Sequence, residues 1–381
     1  VRKTVGIASL GVPTVDVWST PTMVYAGGLR QLPVALAGRP MLLFADERLA
    51  AQVDSVQGFA PALAVVVISS GSDDAVETVT EALTRRPGAI PVALGGGSVM
   101  DVVRLAALAL TDPSTNGWRS RHDGPFFLPT RALNPTVCIP STLGTGSEVS
   151  PVAMRRSASG TAMIISPGLR SAAAIIDPAV TGTLPVAALG AGLVEPWSRV
   201  CIPAIAGDRL RFQDGLAAGL GETILALGEE IGSSECAIGP DWLRSAALAS
   251  MQTHLGLLPV GRAPAGHVLW PLATEVMRVT GLPKAEALAA LIPAWLKCLA
   301  AKSIGREWGS VQRVVRIIGL DPAEAADRLE SWLQALCLTT RLPEVDVDAI
   351  ATRVATPWQL SGLFLPGVPR ADIATVLHAA G

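Results

Sequence analysis

Three stretches of this chain bring together residue types that could hold a phosphorylated ligand. In the first, Gly95-Gly96-Gly97-Ser98 stands between an apolar run and a helical stretch, with Asp101 one turn further on. Glycine lets a backbone approach a pyrophosphate closely, and the free amides and dipole of a helix N-terminus favour its negative charge. A glycine triplet taken alone fits a tight strand-to-helix turn as well. In the second, Asp46 closes a short apolar run. A carboxylate at such a strand end accepts hydrogen bonds from an adenosine ribose and repels a 2′-phosphate, although a helix N-cap uses the same residue. The third, Ile139-Pro140-Ser141-Thr142-Leu143-Gly144-Thr145-Gly146-Ser147-Glu148-Val149, packs hydroxyls and glycines straight after a strand-like run and is the most specific of the three.

These residues need rigid elements behind them. Pro40 to Ala45, Ala62 to Ile68, Ile90 to Leu94 and Thr136 to Ile139 are continuous apolar runs, separated by helical stretches such as Asp74 to Thr84 and Ser98 to Leu110. Continuous rather than alternating polarity predicts parallel strands covered on both faces, and alternating βα units predict a doubly wound sheet. After Leu184-Pro185, Ala-, Leu- and Trp-rich segments with helical periodicity run almost to the end, broken by prolines at 240, 259, 264, 283, 293 and 322. The expected organisation is an α/β dinucleotide-binding domain over residues 1–185 and an all-α domain over 186–381, with the active site in the cleft between them.

Composition narrows the function. Half of the 381 residues are hydrophobic and 16% are charged, which excludes a disordered chain. A formal charge of −2 without blocks of like charge argues against nucleic acid or an anionic membrane as partner. No apolar run reaches the roughly 18 residues of a membrane span. Val1 to Val17 lacks the continuous apolar core of a signal peptide. Five scattered cysteines, Cys138, Cys201, Cys236, Cys298 and Cys337, fit reduced thiols and a cytoplasmic location. The partners expected are a small-molecule or peptide substrate and a second copy of the chain.

Taken in order, Gly95 to Asp101, Pro140 to Glu148, and Asp177-Pro178 through Leu184-Pro185 resemble the motifs of the iron-containing alcohol dehydrogenase and dehydroquinate synthase superfamily. The turn Tyr25-Ala26-Gly27-Gly28 and the helix start Pro369-Arg370-Ala371-Asp372-Ile373 match it too, so the resemblance spans nearly the whole chain. It implies the dehydroquinate synthase-like fold and a nicotinamide cofactor lined by Asp46, Gly96, Gly97, Ser98, Asp101, Ser141, Thr142 and Thr145. Asp46 at its strand end favours NAD over NADP.

The metal positions of that superfamily are changed here. Its dehydrogenases hold a divalent ion with Asp-x3-His on one helix and two later histidines, and its synthases with a Glu and two histidines. This chain has four histidines, His122, His254, His267 and His378. Glu195 stands at the first carboxylate position and Arg199 at the next ligand, one turn on. The second region falls on Gly266 or His267, and the third places Lys284 where a histidine is expected. Thr161 occupies a position where the family keeps a lysine near its nicotinamide. Glu195 and His267 alone remain as donors, since charged ammonium and guanidinium groups have no lone pair to give. No catalytic metal is therefore expected. His122 and His378 fall in regions remote from the cleft, and His254 faces solvent or core on its helix.

The resemblance then implies NAD-linked oxidation of a secondary alcohol, or the reverse reduction, on a substrate with an anionic group. A cation where alkoxide forms does electrostatically what a metal would do. Lys284 is the candidate proton acceptor, Arg199 the fork for a carboxylate or phosphate, His267 a proton relay, and Glu195 their neighbour on the same helix. With the alcohol β to a carboxylate, the product is a β-keto acid that loses carbon dioxide. The divergent site in an Ala-, Arg-, Gly- and Pro-rich chain is similar to the dehydrogenases of daptide-type peptide biosynthesis, which act on a C-terminal threonine. Two other classes stay open. A synthase-like lyase or cyclase would use NAD transiently, although Ser198 stands where that chemistry keeps a lysine. A non-catalytic partner protein would retain the fold alone.

Overall fold

The structure is a computed structural model that describes residues 22–69, 74–130, 132–157, 160–232, 238–255, 257–262 and 266–381. The N-terminal stretch weighed as a leader, Cys236 and Pro264 lie outside the described residues. Two compact units are distinguished. One comprises Ser19–Pro185 with Ile238–Leu255, and the other Val186–Ala237 and Gly256–Gly381, each taken over its described residues.

The first unit is built on strands β1 (Met23–Tyr25), β2 (Met41–Asp46), β3 (Ala62–Ile68), β4 (Ile90–Gly95), β5 (Gly124–Phe127), β6 (Asn134–Pro140), β7 (Val152–Ser157), β8 (Gly160–Ile165) and β9 (Ser171–Ile175). Six of them form one all-parallel sheet in the order β1-β9-β6-β4-β2-β3. The central strands β2 and β4 are buried at every position, as their continuous apolar runs require. Side chains alternate between two cores. Leu42 and Phe44 face α3 (Ala75–Thr84) and α4 (Gly97–Thr111), and Leu43 and Ala45 face α1 (Leu32–Leu36) and α2 (Ala50–Phe59). Strand β3 is an edge whose Leu63, Val65 and Val67 point outward. All four strands and both helices read from the sequence are present.

Register fixes where the motifs emerge. Gly95 at the end of β4 pairs with Pro140 at the end of β6, and Asp46 ends the neighbouring β2. The three stretches therefore leave the carboxyl ends of adjacent parallel strands, which is where doubly wound sheets bind ligands. Asp177 ties the opposite edge together. It caps the short α5 (Pro178–Thr181), and its Oδ2 accepts the Leu29 N–H at 2.7 Å. A side chain at Gly28, whose φ is +83°, would come within 2.7 Å of that oxygen. The Gly-Gly turn and the Asp-Pro motif are thus two halves of one joint.

A small second sheet, β5-β8-β7, carries one parallel and one antiparallel pairing. The sequence reading did not anticipate it, because β5 is four residues long and β7 includes Arg155 and Arg156. Helix α8 (Pro240–Leu255) corrects the expected boundary at residue 185, since it belongs with the sheet unit. Arg244 of α8 donates to the Ala26 carbonyl, Arg170 donates to that of His254, and Leu243 packs against Gly182.

The other unit is helical: α6 (Val186–Ala206), α7 (Arg211–Gly232), α9 (Leu269–Thr280), α10 (Lys284–Ala300), α11 (Val311–Ile318), α12 (Pro322–Ala335), α13 (Val347–Arg353) and α14 (Arg370–Ala380). Pro293 does not break its helix as expected but lies inside α10, as Pro196 and Pro203 lie inside α6. Burial of both helices among their neighbours compensates for the missing N–H groups. Two buried carboxylates brace this unit. Asp214 receives Arg262, Arg313 and Arg316, and Glu275 of α9 receives Arg278, Arg353 and the Trp358 indole. No described helix is long and apolar enough to cross a membrane.

Arg104 of α4 is fully buried. Its guanidinium donates to the Asp101 carboxylate at 2.5 Å and to the carbonyls of Ser150, Val152 and Leu169 at 2.5, 2.8 and 3.0 Å. Replacing it by methionine strands Asp101 as an uncompensated buried charge, at a cost of about 3–5 kcal/mol. Urea denaturation of Arg104→Met should show that loss, and a midpoint equal to that of the unmodified protein would refute the assignment.

Candidate active site

The glycine loop is arranged to receive an anion. Gly96 is the N-cap of α4, and no side chain caps its first amides. A Cβ on Gly97 would lie 2.9 Å from the Thr145 methyl, and one on Gly96 would lie 3.3 Å from Thr142. The two loops are therefore packed backbone against side chain, with the Ser141 N–H donating to the Gly95 carbonyl at 3.0 Å. Gly144 and Gly146, at φ +103° and +62°, turn the second loop back on itself. The buried Thr142 hydroxyl oxygen has no hydrogen-bond partner among the described residues. An orphaned hydroxyl beside uncapped helix amides fits a pyrophosphate, so Gly96, Gly97, Ser98, Ser141, Thr142 and Thr145 are the residues that would hold a dinucleotide.

Two residues assigned to the same site are otherwise engaged. Asp101 gives Oδ1 to Arg104 and Oδ2 to the Met154 N–H at 2.8 Å, and it is buried. It fixes β7 to α4 rather than offering a free carboxylate to a ligand. Asp46 is also buried, and hydrogen bonds from the Arg48 side chain hold its carboxyl below the usual range.

The residues expected to do chemistry lie in the helical unit, on three separate segments. Glu195 and Arg199 are one turn apart on α6 and form an ion pair of 3.1 Å, with the Arg199 side chain 4% exposed. His267 precedes α9, and Lys284 opens α10 after Pro283. They meet at Trp270, in the first turn of α9. The Lys284 Nζ sits 3.5 Å from the indole centroid, Arg199 Cζ lies 5.9 Å from it, and the His267 ring packs edge-on at 6.2 Å. A ring face attracts an ammonium charge, so Trp270 seats the cation of Lys284. That contact supports an electrostatic part for Lys284 in place of the proton acceptor expected from sequence.

Burial, and then the charges of Arg199, Arg262 and Lys284, push the His267 pKa down to about 3. An imidazole so placed is neutral near pH 7 and a poor carrier of protons, which removes the relay role expected of it. His254 is half-buried on α8 in the sheet unit, and His122 and His378 are exposed.

The donor set does not fit a divalent ion. Glu195 is held by Arg199, the third ligand position carries the Lys284 ammonium, and a side chain at Gly266 would press on Pro203. Among the described residues no three of His, Cys, Asp or Glu gather as ligands.

Residues 21–178 match the family model for iron-containing alcohol dehydrogenases. Phosphonoacetaldehyde reductase of Streptomyces viridochromogenes is 27% identical over 305 residues, covering 74% of each chain. Among solved structures, the NADH-dependent butanol dehydrogenase A of Thermotoga maritima has a TM-score of 0.78 at 19% identity, over 97% of this chain and 99% of that one. Sulfoacetaldehyde reductase of Bifidobacterium kashiwanohense, solved with NAD+, has a TM-score of 0.75 at 18% identity, over 96% and 98%. These solved structures share the fold of this chain, an α/β sheet unit with a helical portion.

Sequence reasoning missed Trp270 and Arg262. Trp270 is one of nine tryptophans, and only its place in the first turn of α9 distinguishes it. Arg262 binds Asp214 at 2.8 Å and the Pro203 carbonyl at 3.2 Å, and its charge also acts on His267.

The shift at His267 gives a signed expectation. Its folded pKa lies below the unfolded value of about 6.5, so the unfolded chain binds the proton first. The associated stability is present above about pH 6.5 and is lost as pH falls towards 3. In the unmodified protein the His267 imidazole resonances should not titrate between pH 5 and 9. A midpoint near 6.5 by NMR would show that the cations do not act on it.

Proposed function

We propose that this chain interconverts a small anionic alcohol and its carbonyl form with NAD(H), using Lys284 and Arg199 where its relatives use a metal ion. The observation that carries the reading is the seating of both cations against Trp270, in a site whose donors cannot assemble an ion shell. A nicotinamide, when bound, supplies or takes the hydride at the carbonyl carbon. The chain itself contributes charge and position. The Lys284 ammonium opposes the negative charge that grows on the substrate oxygen, and the Arg199 fork pairs with the anionic group. His267 remains neutral and packs against the platform.

The relatives' names support the substrate class, since phosphonoacetaldehyde and sulfoacetaldehyde each join an aldehyde to an anionic head group. These are carbonyls that reduce to primary alcohols, whereas the sequence reading favoured a secondary alcohol. The class proposed is therefore the anionic carbonyl compound. A β-hydroxy acid fits the same fork through its carboxylate, and its oxidation would yield a β-keto acid that releases carbon dioxide.

Reduction of phosphonoacetaldehyde and sulfoacetaldehyde, followed by loss of NADH absorbance, tests the reading. Lys284→Met keeps the length and apolar stem and should lower kcat by about 10²–10³-fold with NADH affinity unchanged. Arg199→Lys keeps charge but loses the planar fork, and should act mainly on KM. Unmodified kinetics in both variants would make the cation pair vestigial. Elemental analysis should find no stoichiometric zinc or iron, and chelation should leave turnover intact. One tightly held ion per chain, with activity lost on its removal, would refute the metal-independent mechanism.

A further inference from the structure

Strand β2 delivers Asp46 to the end of the sheet next to the glycine loop, and the chain turns at once, with the Leu49 N–H bonding back to the Asp46 carbonyl at 3.0 Å. That turn carries Arg48 round onto the carboxylate. Its Nε donates to Oδ1 at 2.9 Å, its Nη2 to Oδ2 at 3.0 Å, and its backbone N–H to Oδ1 at 3.0 Å. Both oxygens are thus met by a planar fork, the geometry in which a guanidinium binds a carboxylate most specifically. The two partners differ in surroundings. The Asp46 side chain is 9% exposed and that of Arg48 73%. A buried negative charge is covered by a cation that itself faces solvent.

The usual consequence of a carboxylate at this strand end is repulsion of a 2′-phosphate. Here that charge is offset at hydrogen-bond distance. The exposed Arg48 guanidinium thus sets a positive charge at the strand end where a 2′-phosphate would otherwise meet Asp46 alone. We propose that Arg48 is a cofactor-specificity residue, narrowing the preference for NAD(H) over NADP(H) that Asp46 alone would impose. The inference rests on the reading that the glycine loop and Asp46 hold a dinucleotide.

The experiment is direct titration of the full chain with NADH and with NADPH, by cofactor fluorescence, at two salt concentrations. The unmodified protein should bind both, NADH more tightly, with NADPH the more salt-sensitive. Arg48→Ala should weaken NADPH binding by about tenfold or more, the scale of a lost charge-assisted hydrogen bond. It should leave NADH binding equal or tighter, so the ratio widens. Arg48→Lys should fall between, and Asp46→Ala should reverse the preference towards NADPH. Because Arg48 is exposed, its variants should melt with the parent, and thermal denaturation confirms that the comparison is between folded proteins. An unchanged ratio in folded Arg48→Ala would overturn the role of Arg48. Failure of the unmodified chain to bind either cofactor would instead overturn the dinucleotide site itself.

Discussion

A fully buried guanidinium needs every partner it can reach, and Arg104 finds them in Asp101 and three backbone carbonyls from segments distant in sequence. The helix that bears Arg104 begins at the glycine loop. The carbonyls it binds flank the loop that follows β6. One side chain therefore sets the distance between the two halves of the anion cradle. The cost of taking a charge out of water makes this geometry nearly all-or-none, since a shifted partner leaves an uncompensated ion rather than a weaker bond. Asn134 adds to it by donating to the Arg104 carbonyl. This junction acts alongside the β4–β6 pairing and the Ser141–Gly95 hydrogen bond in holding Thr145 on Gly97 and Thr142 on Gly96.

The helical unit solves a related problem around an aromatic ring. Arg199, His267 and Lys284 come from α6, the segment before α9, and α10, and the indole of Trp270 gives each a surface to rest on. Like charges gathered in one place repel, and a ring face together with the Glu195 carboxylate offsets part of that repulsion. Burial first, and then this positive field, keeps the imidazole among them neutral. A divalent ion concentrates charge at a point fixed by its ligands. Here the charge is spread over two side chains whose positions depend on packing.

Several motifs that look catalytic in the sequence turn out to be joints. Asp177 caps a helix and holds the opening turn, and Asp101 anchors β7. Both are carboxylates near a glycine-rich turn, the pattern that suggests ligand contact. Main-chain amides take both oxygens of Asp177 and one of Asp101, whose other oxygen binds Arg104, because a buried donor left unpaired is costly. Both carboxylates thus serve structure in this chain.

By itself, the sequence determined the α/β class, the strand and helix segments of the sheet and the glycine loop. Each depends on local signals: continuous apolar runs, helical period, and glycine where backbone must approach a ligand. The reading that Arg199 and Lys284 stand at metal-ligand positions rests on the resemblance, and on the missing lone pair of an ammonium or guanidinium. Tertiary structure decided the rest. That Arg48 covers Asp46, that α8 joins the sheet unit, and that Trp270 gathers two cations depend on which distant segments fold together. The same holds for His267, whose neutrality comes from burial and from cations on α6, α10 and the loop bearing Arg262. Periodicity reports which face of an element is apolar. It carries no information about which partner that face meets, and protonation and charge pairing depend on the partner.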